Sequence, residues 1–280
     1  IGGLKTGPES LFESKNMGLG ASPIYTERAF QPTPSQLPED ISGLSKFFQP
    51  AATTPDTALD LSYENTNMED FVQRLKANPG IERLNLSWTD VSDGRLQHLS
   101  LLPNLKELSL RCSEGLEGDT LSDLRHAPQL EKLHLFGSDI TDAELRHLAN
   151  VPGLKELDLG ETTVGDSGLK ELAHVPDLEK LSLNLTDVTD AGLANVRQVP
   201  LLKGLFLRGT DVTDAGVERL APLTNLEELD LAGTKFSDAG VLHLDAFNNL
   251  RQLLYGDSQV TQRGADYLRL FSPEVKAVNI

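Results

Sequence analysis

The sequence predicts an α/β solenoid: a curved horseshoe with a parallel sheet on its concave face and short helices on its convex face. Three observations predict it. A phrase with apolar residues at its first, fourth and sixth positions starts at Ile81, Leu105, Leu130, Leu154, Leu178, Leu202, Leu226, Leu250 and Val275, always 24 or 25 residues apart. Within each copy the phrase alternates apolar and polar from its fourth position, as in Leu157-Asp158-Leu159, which is strand periodicity. The second half carries apolar residues at helical spacing, as at 169, 172, 173 and 175, and Pro176 ends that run. One strand and one short helix cannot bury their apolar faces alone, whereas stacked copies form one continuous core.

The elements follow in order. Residues 1–55 hold seven of the fifteen prolines and many Gly and Ser, and read as a flexible leader in which 41–48 is a candidate short capping helix. Residues 56–80 read as an amino-terminal cap repeat. There Leu59-Asp60-Leu61 matches the end of the phrase, and Phe71, Val72 and Leu75 suit a helix closing the open end of the core. Residues 81–273 hold eight repeats, and 274–280 a final strand. The chain begins Ile1-Gly2-Gly3, without methionine or an apolar signal core, and reads as a fragment of a longer protein.

Charge narrows the function. The chain has 25 Lys+Arg against 42 Asp+Glu, a formal net charge of −17. The leader is near neutral, so residues 56–280 carry the acidity, with 21 basic and 37 acidic side chains. That balance counts against nucleic acid, whose phosphates need a basic footprint, and against an anionic membrane surface. No segment approaches the ~18–20 apolar residues of a spanning helix. Cys112 is the single cysteine, which excludes an intrachain disulfide and a thiolate zinc site.

The repeat sorts the polar residues into columns. At the second position Glu82, Lys106, Glu131, Lys155, Glu179, Lys203, Glu227 and Arg251 alternate in sign, so opposite charges should face each other across strands. The third position alternates likewise until Gly204 breaks it. The aspartates 93, 142, 166, 190, 214 and 238 are expected to cap the convex helices together with the preceding Ser or Thr. His98, Asp123 and His147 share a column but lie on a face where repeats fan apart, so no metal and no cofactor is expected. Cys112 lacks any catalytic signature; Lys132 or His134, one strand over, are the neighbours that could activate it.

The inner sheet face lies at positions five, seven and eight. It gathers the only Trp with Phe, Leu and Arg side chains that a solvated sheet does not need. The candidate partner-binding residues are Trp88, Arg111, His134, Phe136, Leu185, Phe206, Arg208 and Leu254. Eight strands span roughly 35–40 Å, enough for a protein interface and too open for a small-molecule pocket.

These units resemble leucine-rich repeats over about residues 56–280. The Thr-Asp-Ala-Gly-Leu run at 189–193, echoed at 213–217 and 237–241, resembles a bacterial subtype related to the GALA and ribonuclease-inhibitor-like classes. In one column the chain departs from the family. Where most such repeats place Asn at the ninth position, this one has Thr89, Ser113, Ser138, Thr162, Thr186, Thr210, Thr234 and Ser258. Their hydroxyls are expected to form a similar but weaker ladder between turns. The resemblance implies a monomeric protein-recognition module rather than an enzyme. Following a Ser/Pro/Gly-rich leader, it is similar to the layout of secreted effectors whose repeats choose a target in the host cell. The alternatives are a scaffold inside the bacterium and a cysteine-dependent enzyme.

Overall fold

The computed structural model describes residues 57–64, 66–271 and 275–278. The leader, its candidate helix at 41–48 and the last residues of the final strand lie outside the described residues. The chain divides into two units at residue 49, and the second of them holds the repeats.

The repeats build one ten-stranded parallel sheet whose strands neighbour one another in sequence order. The strands are β1 (Ala58–Asp60), β2 (Arg83–Asn85), β3 (Glu107–Ser109), β4 (Lys132–His134), β5 (Glu156–Asp158), β6 (Lys180–Ser182), β7 (Gly204–Phe206), β8 (Glu228–Asp230), β9 (Gln252–Leu254) and β10 (Lys276–Val278). Register is uniform: Leu84, Leu108, Leu133, Leu157, Leu181, Leu205, Leu229 and Leu253 align across the sheet. These leucines and those at the first and sixth positions are buried in one continuous core, as the repeat requires. A one-residue slip would turn all of them to solvent.

The convex segments are of two kinds. In the first repeats they are 3-10 turns, Arg95–Leu101, Thr120–His126, Glu144–Asn150 and Gly168–His174. Later they open as α-helices, Asp190–Val196, Asp214–Arg219 and Asp238–Val241. The α-helical repeats share one cap. Thr189, Thr213 and Ser237 sit in extended backbone, and their side chains accept from the amides of Ala191, Ala215 and Ala239. The residue directly before each of the four 3-10 turns makes no side-chain cap, although Thr141 accepts from the Ala143 N–H at 3.3 Å just ahead of one of them. The amino-terminal helix Met68–Ala77 is capped by Asn67 and buries Phe71 and Leu75. Arg95 is buried beside it, its guanidinium 5.3 Å from the Phe71 ring centroid and paired with Asp93 at 2.9 Å.

Two columns differ from expectation. Asp93 accepts from the Arg95 N–H of its own turn at 3.1 Å, as expected, but the later aspartates do not cap their own helices. Each reaches the next repeat: Asp166 accepts from the Thr189 N–H and hydroxyl at 2.8 and 2.7 Å, and Asp214 accepts from Ser237 at 2.8 and 2.6 Å. Asp142 accepts from the Gly165 N–H. The fixed Gly of the Thr-Asp-Ala-Gly run makes room for this. A Cβ at Gly192, Gly216, Gly240 or Gly264 would fall on the carboxylate of the previous repeat's Asp166, Asp190, Asp214 or Asp238. So Thr caps, Asp clasps the following repeat, and Gly admits the clasp of the preceding one.

The ninth-position hydroxyls do not bridge turns either. Thr89, Thr162, Thr186, Thr210 and Thr234 donate to the carbonyl three residues back in their own repeat, at 2.6–2.7 Å. A hydroxyl on a short stem reaches its own turn, whereas the longer Asn side chain reaches further. Ser113 is an exception and donates to Leu86 of the repeat before, at 2.9 Å.

Candidate functional site

The sheet face opposite the core is lined by the third and fifth positions of each strand, with the seventh and eighth just beyond it. The second-position charges pair between neighbouring repeats as expected: Lys106 with Glu82, Lys155 with Glu131, Lys203 with Glu179, Arg251 with Glu227. At the third position Lys132 meets Glu156 at 2.7 Å. The break at Gly204 does not strand its neighbours, because Lys180 reaches across it to Glu228 at 3.9 Å. Gly204 leaves the space in which the Phe206 ring lies.

The fifth-position side chains are more enclosed than a solvated sheet face suggests. His134, Phe206 and Leu254 are only 3, 2 and 5% exposed, which corrects the expectation that they are open to a partner. Strands ~4.8 Å apart let long neighbours shield one another. His134 lies 3.4 Å from Glu107. Burial alone would raise the Glu107 carboxyl, but the His134 hydrogen bond and the charges of His134, Lys132 and Arg83 hold it below the usual range. Asp230 is likewise buried, and burial pushes its carboxyl up; the Ala232 N–H and the Arg208 charge offset this only in part.

The remaining candidates keep access to solvent. Arg111 pairs with the buried Asp158 at 3.0 Å and stands 6.0 Å from the centroid of Phe136. Phe136 lies over Gly160 of the next repeat, where a Cβ would meet its ring at 2.8 Å. Arg208 and Trp88 are half-buried, and Trp88 stacks on Tyr63 with ring centroids 5.7 Å apart. Leu185 is 45% exposed and leans over Gly209.

Periodicity did not predict the geometry of the eighth column. Tyr63, Trp88, Cys112, Gly137, Glu161, Leu185, Gly209, Gly233 and Asp257 all turn through left-handed backbone, with φ between 50° and 68°. For a residue other than Gly this conformation costs roughly 1–2 kcal/mol. Three glycines in one column are the signal in the sequence that could have found it. The backbone turn lifts these residues out of the strand and lines them along one rim of the sheet.

Cys112 belongs to this rim, and its surroundings disfavour the thiolate. Burial first, then the Glu161 and Asp158 carboxylates, push its thiol up to about 11, with Arg111 pulling the other way. Neither Lys132 nor His134 activates it, and at neutral pH it is a thiol rather than a nucleophilic thiolate. On the convex side His147 approaches Asp119 at 3.4 Å, while Asp123 is taken up by Arg125 at 3.0 Å. Among the described residues no group of three or more His, Cys, Asp or Glu could hold a metal ion, and no helix is long and apolar enough to cross a membrane.

A family model and one solved structure agree with this geometry at the level of the fold. A family model described as Leucine Rich repeat matches residues 154–173 and 223–244. Internalin C2 from Listeria monocytogenes is similar in structure, with a TM-score of 0.56 at 23% identity, over 73% of this chain and 84% of that one. A second internalin of that organism, inlF, aligns with a TM-score of 0.41 at 20% identity, over 72% of this chain and 74% of that one. No curated protein matches the sequence. The fold is a leucine-rich-repeat solenoid.

Proposed function

We propose that this solenoid is a protein-recognition module that takes a partner protein on its sheet face, as a monomer and without a cofactor or catalytic centre of its own. The observation that carries this is the row of side chains held at the rim in left-handed backbone. Leu185 is 45% exposed there, and the Tyr63–Trp88 stack stands at one end. Apolar and aromatic groups gathered on an otherwise polar, acidic surface are what interfaces use. Arg111, Phe136 and Arg208 extend the row onto the face. His134, Phe206 and Leu254 lie buried on the same face. The burial and neighbouring carboxylates that keep Cys112 a thiol argue against the cysteine-enzyme alternative.

The finer reading is the target-selecting part of a bacterial effector that acts in a host cell. The Thr-Asp-Ala-Gly-Leu repeats and the Pro-rich leader support it by resemblance. Its rival is a scaffold inside the bacterium. Affinity capture from host-cell and bacterial lysates in parallel tests both, comparing this chain with a Trp88→Ala, Phe136→Ala, Arg208→Ala variant of unchanged melting temperature. A host protein lost in the variant supports the effector reading. A bacterial protein lost in the variant supports the scaffold. A partner that the variant retains, or none from either lysate, overturns the sheet-face reading.

A further inference from the structure

The rim has a sign and a spacing. Its apolar members are the Tyr63–Trp88 stack and Leu185; its charged members are Glu161 and Asp257. The arginines nearest to it are compensated from within the sheet. Arg111 is paired with the buried Asp158 at 3.0 Å, and Arg208 lies close enough to the buried Asp230 to favour its ionised form. Glu161 and Asp257 have no such cation among the described residues, and the chain around them carries a large excess of carboxylates. Glu161 also sits beside a second carboxylate, Asp158, which burial keeps from solvent. The uncompensated charge of the rim is therefore negative.

Neighbouring members of the rim are one strand spacing apart, ~4.8 Å. Trp88 and Glu161 are separated by three repeats, ~14 Å, which an extended chain at ~3.3 Å per residue spans in about four residues. Leu185 is one repeat further on. Cys112 and Gly137 lie between Trp88 and Glu161, where the small thiol packs against the glycine, and Gly209 and Gly233 lie between Leu185 and Asp257, so no large side chain of the column stands in either stretch. Asp257 is four repeats beyond Glu161, about six residues of extended chain.

We infer that the rim is the docking edge for an extended, basic segment of the partner protein. That segment crosses the strands with a lysine or arginine at Glu161, an apolar side chain next to it on Leu185, and an apolar or aromatic one about four residues earlier on the Tyr63–Trp88 stack. A second cation about six residues after the first meets Asp257. This assignment presupposes that the sheet face takes a protein, and adds the chemistry of what it takes.

The test is selection of a phage-displayed library of random 12-residue peptides on the full chain, followed by synthesis of the enriched peptides. Three single variants accompany it: Glu161→Gln, which keeps the shape; Leu185→Gly, which suits the left-handed backbone; and Glu218→Gln on the exposed helix face as a control. Enriched peptides should carry a basic residue flanked by an apolar one, and lose about tenfold in affinity, ~1.4 kcal/mol, on Glu161→Gln or Leu185→Gly but not on Glu218→Gln. Peptides that ignore Glu161→Gln and Leu185→Gly yet are lost in the Trp88, Phe136, Arg208 triple variant overturn the docking edge and leave the sheet-face reading standing. Peptides indifferent to all of these variants overturn both. A library that yields no enriched peptide overturns the docking edge.

Discussion

The Asp190 carboxylate accepts both the backbone N–H and the hydroxyl of Thr213, one repeat away, at 2.8 and 2.7 Å. The same Thr213 hydroxyl accepts from Ala215 and so starts the next helix. One pair of residues thus ties repeat to repeat and caps a helix at once. Asp190→Ala should cost about 1.5–3 kcal/mol, the range of hydrogen bonds to a charged group, read from the urea midpoint. A double-mutant cycle with Thr213→Val should show coupling above about 0.5 kcal/mol. Additive losses would mean that the two residues act separately.

Gly216 fits against that same carboxylate, and an added Cβ would overlap Asp190 Oδ1 and press on Val212 and Leu193. In most helices Gly→Ala is favourable by roughly 1 kcal/mol. Here Gly216→Ala should destabilise, and by less once Asp190 is Ala. A Gly216→Ala protein that melts above the wild type would show that the close approach is wrong.

Leu185 occupies a left-handed turn at φ 56°, half open to solvent. Leu185→Gly should therefore raise stability by up to about 1 kcal/mol. Gly209→Ala, at φ 68° and under the Leu185 side chain, should lower it. Thermal melts of the two variants moving in the same direction would contradict the backbone assignment.

Cys112, with its thiol at about 11, should react with iodoacetamide at pH 7.5 more slowly than a free thiol, and ever faster as pH rises toward that value. Glu161→Gln removes one of the charges that raise it and should speed the reaction, whereas Arg111→Ala should slow it further. A rate at pH 7.5 equal to that of a free thiol would rule out the buried, acidic surroundings described.

Asp230 titrates upward on burial, so the folded chain holds its proton more tightly than the unfolded one. Its contribution to stability therefore increases as pH falls from neutral through that raised value. Glu107, Glu144 and Asp238 shift the other way, because hydrogen bonds, joined by nearby cations at Glu107 and Asp238, outweigh the burial that would raise each of them. Their stabilisation is present above the ordinary carboxylate values and is lost as pH falls through the lowered ones. Asp230→Asn keeps the acceptor for the Ala232 N–H and should melt above the wild type at pH 7, with the gap closing toward pH 5. A gap independent of pH would show that Asp230 ionises normally.

The fold was legible because a six-residue phrase occurs nine times at intervals of 24 or 25 residues and each copy faces the same way, so Leu181 or Leu205 needs no tertiary information to be placed in the core. The charge pairs of the sheet were legible for the same reason, since Lys106 and Glu82 sit at equal phase. The Asp190 clasp was not. Residue type and proximity to Thr189 both suggest a local cap, and only the stacking distance between repeats shows that the carboxylate reaches Thr213 instead. Burial of Phe206 was hidden as well, because the space for its ring comes from the absence of a side chain at Gly204. The left-handed column escaped notice because six of its nine members are not Gly, although Gly137, Gly209 and Gly233 share its phase.

The clasps are not evenly distributed, and this gives the solenoid a mechanical polarity. From Asp142 to Thr261 each repeat holds the next by a carboxylate. Toward the amino terminus Asp90 and Asp93 turn inward on Ser92 and Arg95 of their own repeat. Between that repeat and the one starting at Leu105 the described residues make no carboxylate clasp, and the ties include the isolated bridge of Asp90 to Glu114 and the Ser113 hydroxyl on the Leu86 carbonyl. Tension applied along the stack would concentrate at this seam. The carboxyl-terminal turns would then move as a stiff rod, with the amino-terminal ones paying out first, like a cable fraying at its looser end.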